Sequence, residues 1–136
     1  ENVTIKYFPQ IEMPTLFWHA EFAVVPSYPE DQLVGSDCSG QYVLLEAMAC
    51  GKPVIITARS TRADHVSGGE EGVIVPPQDA HALRAAIMKL WDDPVAAREM
   101  GARAQKKVLA QFTTKKFAQE FARILLEKEV ASGIRN

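Results

Sequence analysis

The run SGQYVLLEAMACGKPVII at residues 39–56 places a glycine, Gly40, at the mouth of an apolar helical pattern and a single carboxylate, Glu46, inside that pattern. Glycine lets backbone approach a ligand closely, and a helix N-terminus offers unpaired N–H groups with a partial positive charge. Ser39, Gly40 and Gln41 therefore suit a phosphate or sugar oxygen. Two simpler readings stand beside this one: a plain helix cap for Ser39 to Gln41, and an ion pair with Lys52 for Glu46. A second set, Cys38 with His65 and Asp64, has the residue types of a thiol nucleophile, its base and an orienting acid, although nothing in the spacing brings them together. Arg59 and Arg62 follow an apolar run and could meet phosphate or simply face water.

The elements that must position these groups follow from periodicity and punctuation. Residues 3–8 alternate and are rich in β-formers, Pro9 stops them, residues 13–20 have a short helical pattern, and residues 22–25 form a nearly all-apolar run. Pro26, Ser27, Pro29, Glu30 and Asp31 open a long loop, of the kind that is usually functional in a compact domain. A helix from Gln41, capped by Ser39 or Asp37 and closed by Gly51, leads to an apolar strand at 53–56. Residues 59–67 form a polar turn, and residues 72–75 a fourth strand ended by Pro76 and Pro77. Three helices then follow, started by Asp79, by Asp93 with Pro94, and by Thr113 or Thr114. In the last of them, Phe117, Phe121, Ile124 and Leu125 make a stripe expected to pack back across the sheet. Strands separated by helices, one of them apolar on both faces, predict an α/β fold with a doubly wound parallel sheet. Its first strand or strands would lie upstream of residue 1. Residues 1–129 are read as one partial Rossmann-like domain with C-terminal helices, and residues 130–136 as a flexible tail.

At 136 residues, 47% hydrophobic and 24% charged, the chain is large enough to bury a core. Its net charge of -2 provides no general field for nucleic acid or anionic membranes. No apolar run reaches the length needed to span a bilayer, and the N-terminal residues lack a signal-peptide layout. Two cysteines in unlike contexts and three scattered histidines form neither a disulfide framework nor a metal-ligand set, so no metal and reduced cytosolic thiols are expected. No GxGxxG follows a first strand, which argues against a dehydrogenase-type dinucleotide site.

The segments VVPSYPEDQ, GQYVLLEAMACGKPVI, DHVSGGEEGVIVPPQD and DPVAAREMGARAQKKVLAQF, in that order, resemble the C-terminal domain of retaining glycosyltransferases with the GT-B fold, family 4 type. The resemblance runs from about residue 2 to residue 122. It implies a domain that binds a nucleotide-diphosphate sugar as substrate, without a cofactor or catalytic metal. The sugar would pass to a glycan or lipid-linked acceptor held largely by an N-terminal domain of the same polypeptide. A cytoplasmic enzyme is implied, with any peripheral contact at the inner face of the membrane coming through that missing domain.

The resemblance also assigns residues. Of the family's two glutamates flanking a glycine-rich turn, the second falls on Glu46 and would grip the ribose hydroxyls; a carboxylate suits a vicinal diol because it accepts two charge-strengthened hydrogen bonds. The first, which touches the donor sugar, falls on Cys38, and a thiol is no substitute for a carboxylate acceptor. Asp37 would supply the missing carboxylate if the loop is re-registered, or Glu30 or Asp31 would fold over the site. Ser39, Gly40 and Gln41 take the place of the glycine-rich turn at the diphosphate, and Tyr7, Phe8 and Gln10 lie where the family holds the base. Asp64 falls on an acidic position after the next strand, with Arg59 and Arg62 on the same rim. The arginine and lysine that usually neutralise the diphosphate would come from upstream of residue 1, so the piece alone should be inactive. The departure at Cys38 keeps a second reading open, a module that binds a sugar nucleotide without reacting.

Overall fold

The computed structural model describes residues 3–29, 31–32, 41–60 and 65–132, the last five by backbone alone. Among these residues three strands, β1 (Ala23–Val25), β2 (Val54–Thr57) and β3 (Gly72–Val75), form one parallel sheet in the order β1-β2-β3. The register pairs Val24 with Ile55 and Ile55 with Val73. The apolar run Val54, Ile55, Ile56 occupies the central strand and is buried on both faces, as a strand covered by helices must be. Helices do cover both faces, which bears out the doubly wound α/β reading.

On one face Val54 and Ile56 pack against α1 (Met13–His19), α2 (Gln41–Ala49) and the second half of α4 (Pro94–Gln111), through Phe17, Leu44, Ala47, Met48, Ala104 and Val108. On the other, Ile55 and Val75 meet α3 (Ala80–Asp92) and the first half of α4, through Ala86, Leu90, Ala97 and Met100. Leu44, Ala47 and Met48 stand at i, i+3 and i+4, one face of a helix, and each is 0% exposed.

Local chemistry starts and stops these helices where the sequence marks them. Asp79 accepts from the Ala82 amide at 2.9 Å and Asp93 from the Ala96 amide at 3.0 Å, with Pro94 in the first turn. Thr113 Oγ1 accepts from the Lys116 amide at 3.2 Å at the head of α5 (Thr114–Ser132). Gly51 closes α2 with φ +72°: its amide donates to the Met48 carbonyl (five-to-two) and the Lys52 amide to the Ala47 carbonyl (six-to-one), a pair that only a left-handed residue permits easily.

Two expectations fail. Residues 3–9 form no strand, and Val3, Ile5 and Tyr7 are 76%, 95% and 95% exposed. Their alternation offers a strand face, but a strand needs a ladder partner, and β1 pairs only with β2 among the described residues. The α5 stripe does not pack across the sheet either: Phe117, Phe121, Ile124 and Leu125 are all exposed, and Phe117 and Phe121 stack on each other at 6.0 Å. Among the described residues both sheet faces are already covered by α1 to α4, which leaves that stripe no sheet face to cover.

Candidate functional site

In a parallel sheet ligands sit at the carboxyl ends of the strands, and Gln41 at the head of α2, Ser27 after β1 and Thr57 at the end of β2 lie at that end. Glu46 projects, half-buried, from the middle of α2. The 3-10 turn Gln10–Glu12, which leads into α1, brings Gln10 to it: Gln10 Nε2 donates to Glu46 Oε1 at 3.4 Å, across 36 residues of sequence. One residue expected at the base and the residue expected at the ribose therefore meet. Tyr7 is almost fully exposed and Phe8 half-buried, and neither is brought to Glu46 by a hydrogen bond. Lys52, the partner that a purely structural role for Glu46 would need, instead donates to the Trp18 carbonyl at 3.1 Å.

Gln41 begins α2 and is half-buried. Asp37, Cys38, Ser39, Gly40, Glu30, Arg62 and Asp64 lie outside the described residues. Arg59 stands two residues beyond β2, half-buried. His65 turns its ring edge-on to Phe112, with centroids 4.7 Å apart. Cys50, at the end of α2, is a free thiol. Burial pushes its pKa up, the Glu46 carboxylate adds to that, and Lys52 opposes it. Among the described residues no three His, Cys, Asp or Glu side chains cluster as metal ligands, and no helix is long and apolar enough to cross a membrane.

The structure adds residues that the sequence reading missed. The Ser27 amide donates to Thr57 Oγ1 at 2.8 Å, fastening the loop after β1 to the end of β2. Beside this bond lies a cavity of about 270 Å³, lined by Ser27, Thr57, Gln78, Asp79 and Leu83 among others. Among the described residues the buried Ser27 hydroxyl has no partner, and Gln78 takes the left-handed conformation at φ 58°. Glu46 and Gln41 do not line this cavity, which opens on the α3 side. No local signal marks the pair, since Ser27 lies two residues beyond β1 and Thr57, 30 residues further on, is the last residue of β2.

The frame behind these groups is fixed by α4. Gln105 Nε2 donates to the Ala49 carbonyl at 2.8 Å, holding the end of α2. Arg103 Nε donates to the Glu70 carbonyl at 2.9 Å. The largely buried Lys107 and Glu71 pair at 3.2 Å, while Glu71 also accepts from the Ser67 amide at 2.7 Å. The glycine-rich loop before β3 is thus clamped at both ends.

The sequence profile described as glycosyl transferases group 1 matches residues 1–93. Glycogen synthase of Mycobacterium tuberculosis is 28% identical over 122 residues, 90% of this chain and 28% of that protein. D-inositol 3-phosphate glycosyltransferase of an Arthrobacter species is 31% identical over 100 residues, 71% of this chain and 22% of that protein. Among solved structures, sucrose-phosphate synthase from Thermosynechococcus elongatus superposes with a TM-score of 0.70 at 35% identity, over 85% of this chain and 27% of that one. The Anabaena protein HepE in complex with UDP-glucose shares the fold, with a TM-score of 0.71 at 23% identity over 85% of this chain and 30% of that one. The chain spans between a quarter and a third of the length of the glycogen synthase that it matches. With more than half of its residues inside the profile and its fold shared with such proteins, the chain belongs to the glycosyl transferases group 1 family.

Proposed function

We propose that the chain is the donor-binding domain of a retaining glycosyltransferase of the GT-B fold, family 4 type, which moves a sugar from a nucleotide diphosphate to a glycan or lipid-linked acceptor. The observation that carries this reading is the meeting of Gln10 with Glu46, which sets a base-side loop against a carboxylate suited to a ribose diol. In this reading Glu46 accepts both ribose hydroxyls, and the base lies along the turn that carries Gln10. Amides at the head of α2 face the diphosphate, which gains negative charge as it leaves. The domain's contribution is orientation and charge stabilisation, achieved with groups already aimed before the reaction. No metal is invoked, and the substrate is the only small molecule required. Acceptor contacts, the cationic partners of the diphosphate and any touch on the inner face of the membrane fall to an N-terminal domain, so this piece alone is inactive and cytoplasmic.

A second reading is favoured by one residue. Cys38 stands where the family has its first glutamate, and a domain without that carboxylate would bind a sugar nucleotide and not react, unless Asp37 supplies the function. Titration of the ¹⁵N-labelled chain with UDP-, GDP- and ADP-sugars tests the site: saturable shifts at Gln10, Gln41 and Glu46 are expected, and shifts confined elsewhere overturn it. Turnover by the full-length polypeptide with the same donors separates the two readings, since binding without transfer or donor hydrolysis identifies the module.

A further inference from the structure

Trp91, in the last turn of α3, is 64% exposed and belongs to neither core. With Glu21, Leu90, Pro94 and Arg98 it lines a second cavity of about 270 Å³. This cavity is far from the groups described above. The head of α3 lies beside Ser27 and Thr57 at the carboxyl ends of the strands, whereas its tail reaches Glu21, which stands just before β1 at their amino ends.

The lining has a specific chemical character. An aromatic face takes the apolar C–H face of a flat ring, and Leu90 and Pro94 extend that apolar floor. Glu21, as a carboxylate, only accepts hydrogen bonds, and Arg98 only donates them. Their charges cancel, so an anion or a cation would meet one like charge, while a neutral ring whose hydroxyls both donate and accept satisfies both. Among the described residues no ion pair joins Glu21 to Arg98, which leaves each to a ligand.

We propose that this cavity is a second carbohydrate site, in which one pyranose ring of a neutral glycan stacks on Trp91 and shares its hydroxyls between Glu21 and Arg98. The choice of carbohydrate among neutral ligands rests on the sugar-transfer reading above. At the opposite end of the sheet from α2's head, the site holds a glycan without occupying the donor position, and so raises the local concentration of acceptor or product chains.

The test is titration of the ¹⁵N-labelled chain with neutral hexaoses of glucose (α-1,4 and β-1,4), mannose and rhamnose, read at the Trp91 indole N–H. That signal is told from Trp18 by its loss in Trp91→Phe. A saturable shift with a dissociation constant on the order of 1 mM is expected. Trp91→Ala should weaken binding at least about tenfold, and Arg98→Ala and Glu21→Gln should each weaken it several-fold; the latter two are exposed changes that keep the test alive if Trp91→Ala fails to fold. No saturable shift at Trp91 with any of the four sugars up to about 10 mM, or binding that these variants leave unchanged, overturns the inference. If nucleotide sugars shift Gln10 and Glu46 while the hexaoses leave Trp91 still, this site alone falls. If the hexaoses bind and nucleotide sugars do not, the donor reading falls and this site stands.

Discussion

Ser27 and Thr57 are joined by a 2.8 Å hydrogen bond in which the Ser27 amide donates to the threonine hydroxyl, although Ser27 lies two residues beyond β1 and Thr57 ends β2. Thr57 is 4% exposed and is the buried polar side chain of the described core. Thr57→Val keeps the shape and removes the acceptor, so the Ser27 amide loses its partner; such a loss destabilises by about 1–3 kcal/mol. Chemical denaturation should show that fall, and Thr57→Ser, which retains the hydroxyl, should recover most of it. An unchanged midpoint for Thr57→Val would mean that this bond does not hold the two loops.

Glu46→Gln preserves size and the contact with Gln10 while removing the charge. Hydrogen bonds to a charged acceptor contribute about 1.5–3 kcal/mol, so donor affinity should fall roughly ten- to a hundredfold. Thermal stability should change little, because Glu46 is half-exposed and its one described hydrogen bond is long. Calorimetric titration with the nucleotide sugar that binds best checks the first expectation, and a melting curve the second. Gln10→Ala, which removes only the neighbour, should cost less affinity than Glu46→Gln.

Gly101 sits where α4 crosses the turn after α2. A Cβ built there would run into the Gly51 carbonyl and approach Pro53 Cδ at 3.0 Å. The obstacle is backbone, so neither helix can yield by a rotamer change. Gly101→Ala should destabilise by about 1–3 kcal/mol or more, despite alanine's better helix propensity. Equal or higher stability in urea unfolding would show that α2 and α4 can separate without penalty.

Cys50 should react slowly in the folded chain. Burial first and Glu46 second raise its thiol pKa, with Lys52 acting against them. At mildly alkaline pH, iodoacetamide labelling followed by peptide mapping should find Cys50 modified more slowly in the native chain than in urea. The gap should narrow as pH rises, because the thiolate is the attacking species. Glu46→Gln should speed the native reaction. The linked stability has a definite sign: a raised folded pKa favours the neutral thiol, so the contribution is complete below the unfolded thiol pKa and is lost as pH rises through the folded one.

Much of the fold was legible because its signals are local. Residues 72–75, bounded by a glycine and two prolines, are β3 in full; the other two strands and the first helix shift by one residue at their ends. Asp79, Asp93 with Pro94, and Thr113 cap the helices as their side-chain chemistry requires. What failed depended on partners that a single strand or stripe does not reveal. Among the described residues, residues 3–8 have the alternation of a strand and no neighbour to pair with, and the α5 stripe has the periodicity of a packed helix and no free sheet face. At the candidate site, Glu46 stood out as the one carboxylate in an apolar helix, while its match to the ribose and the match of Gln10 to the base came from the resemblance to the family. Ser27 and Thr57 escaped notice because their bond crosses 30 residues and no local pattern announces it.

α4 gives Ala97 and Met100 to one hydrophobic cluster and Ala104 and Val108 to the other. Neither side of the sheet can melt alone while that helix is intact. Amide exchange from α2 and from α3 should therefore speed up together under rising denaturant, as a single cooperative unit.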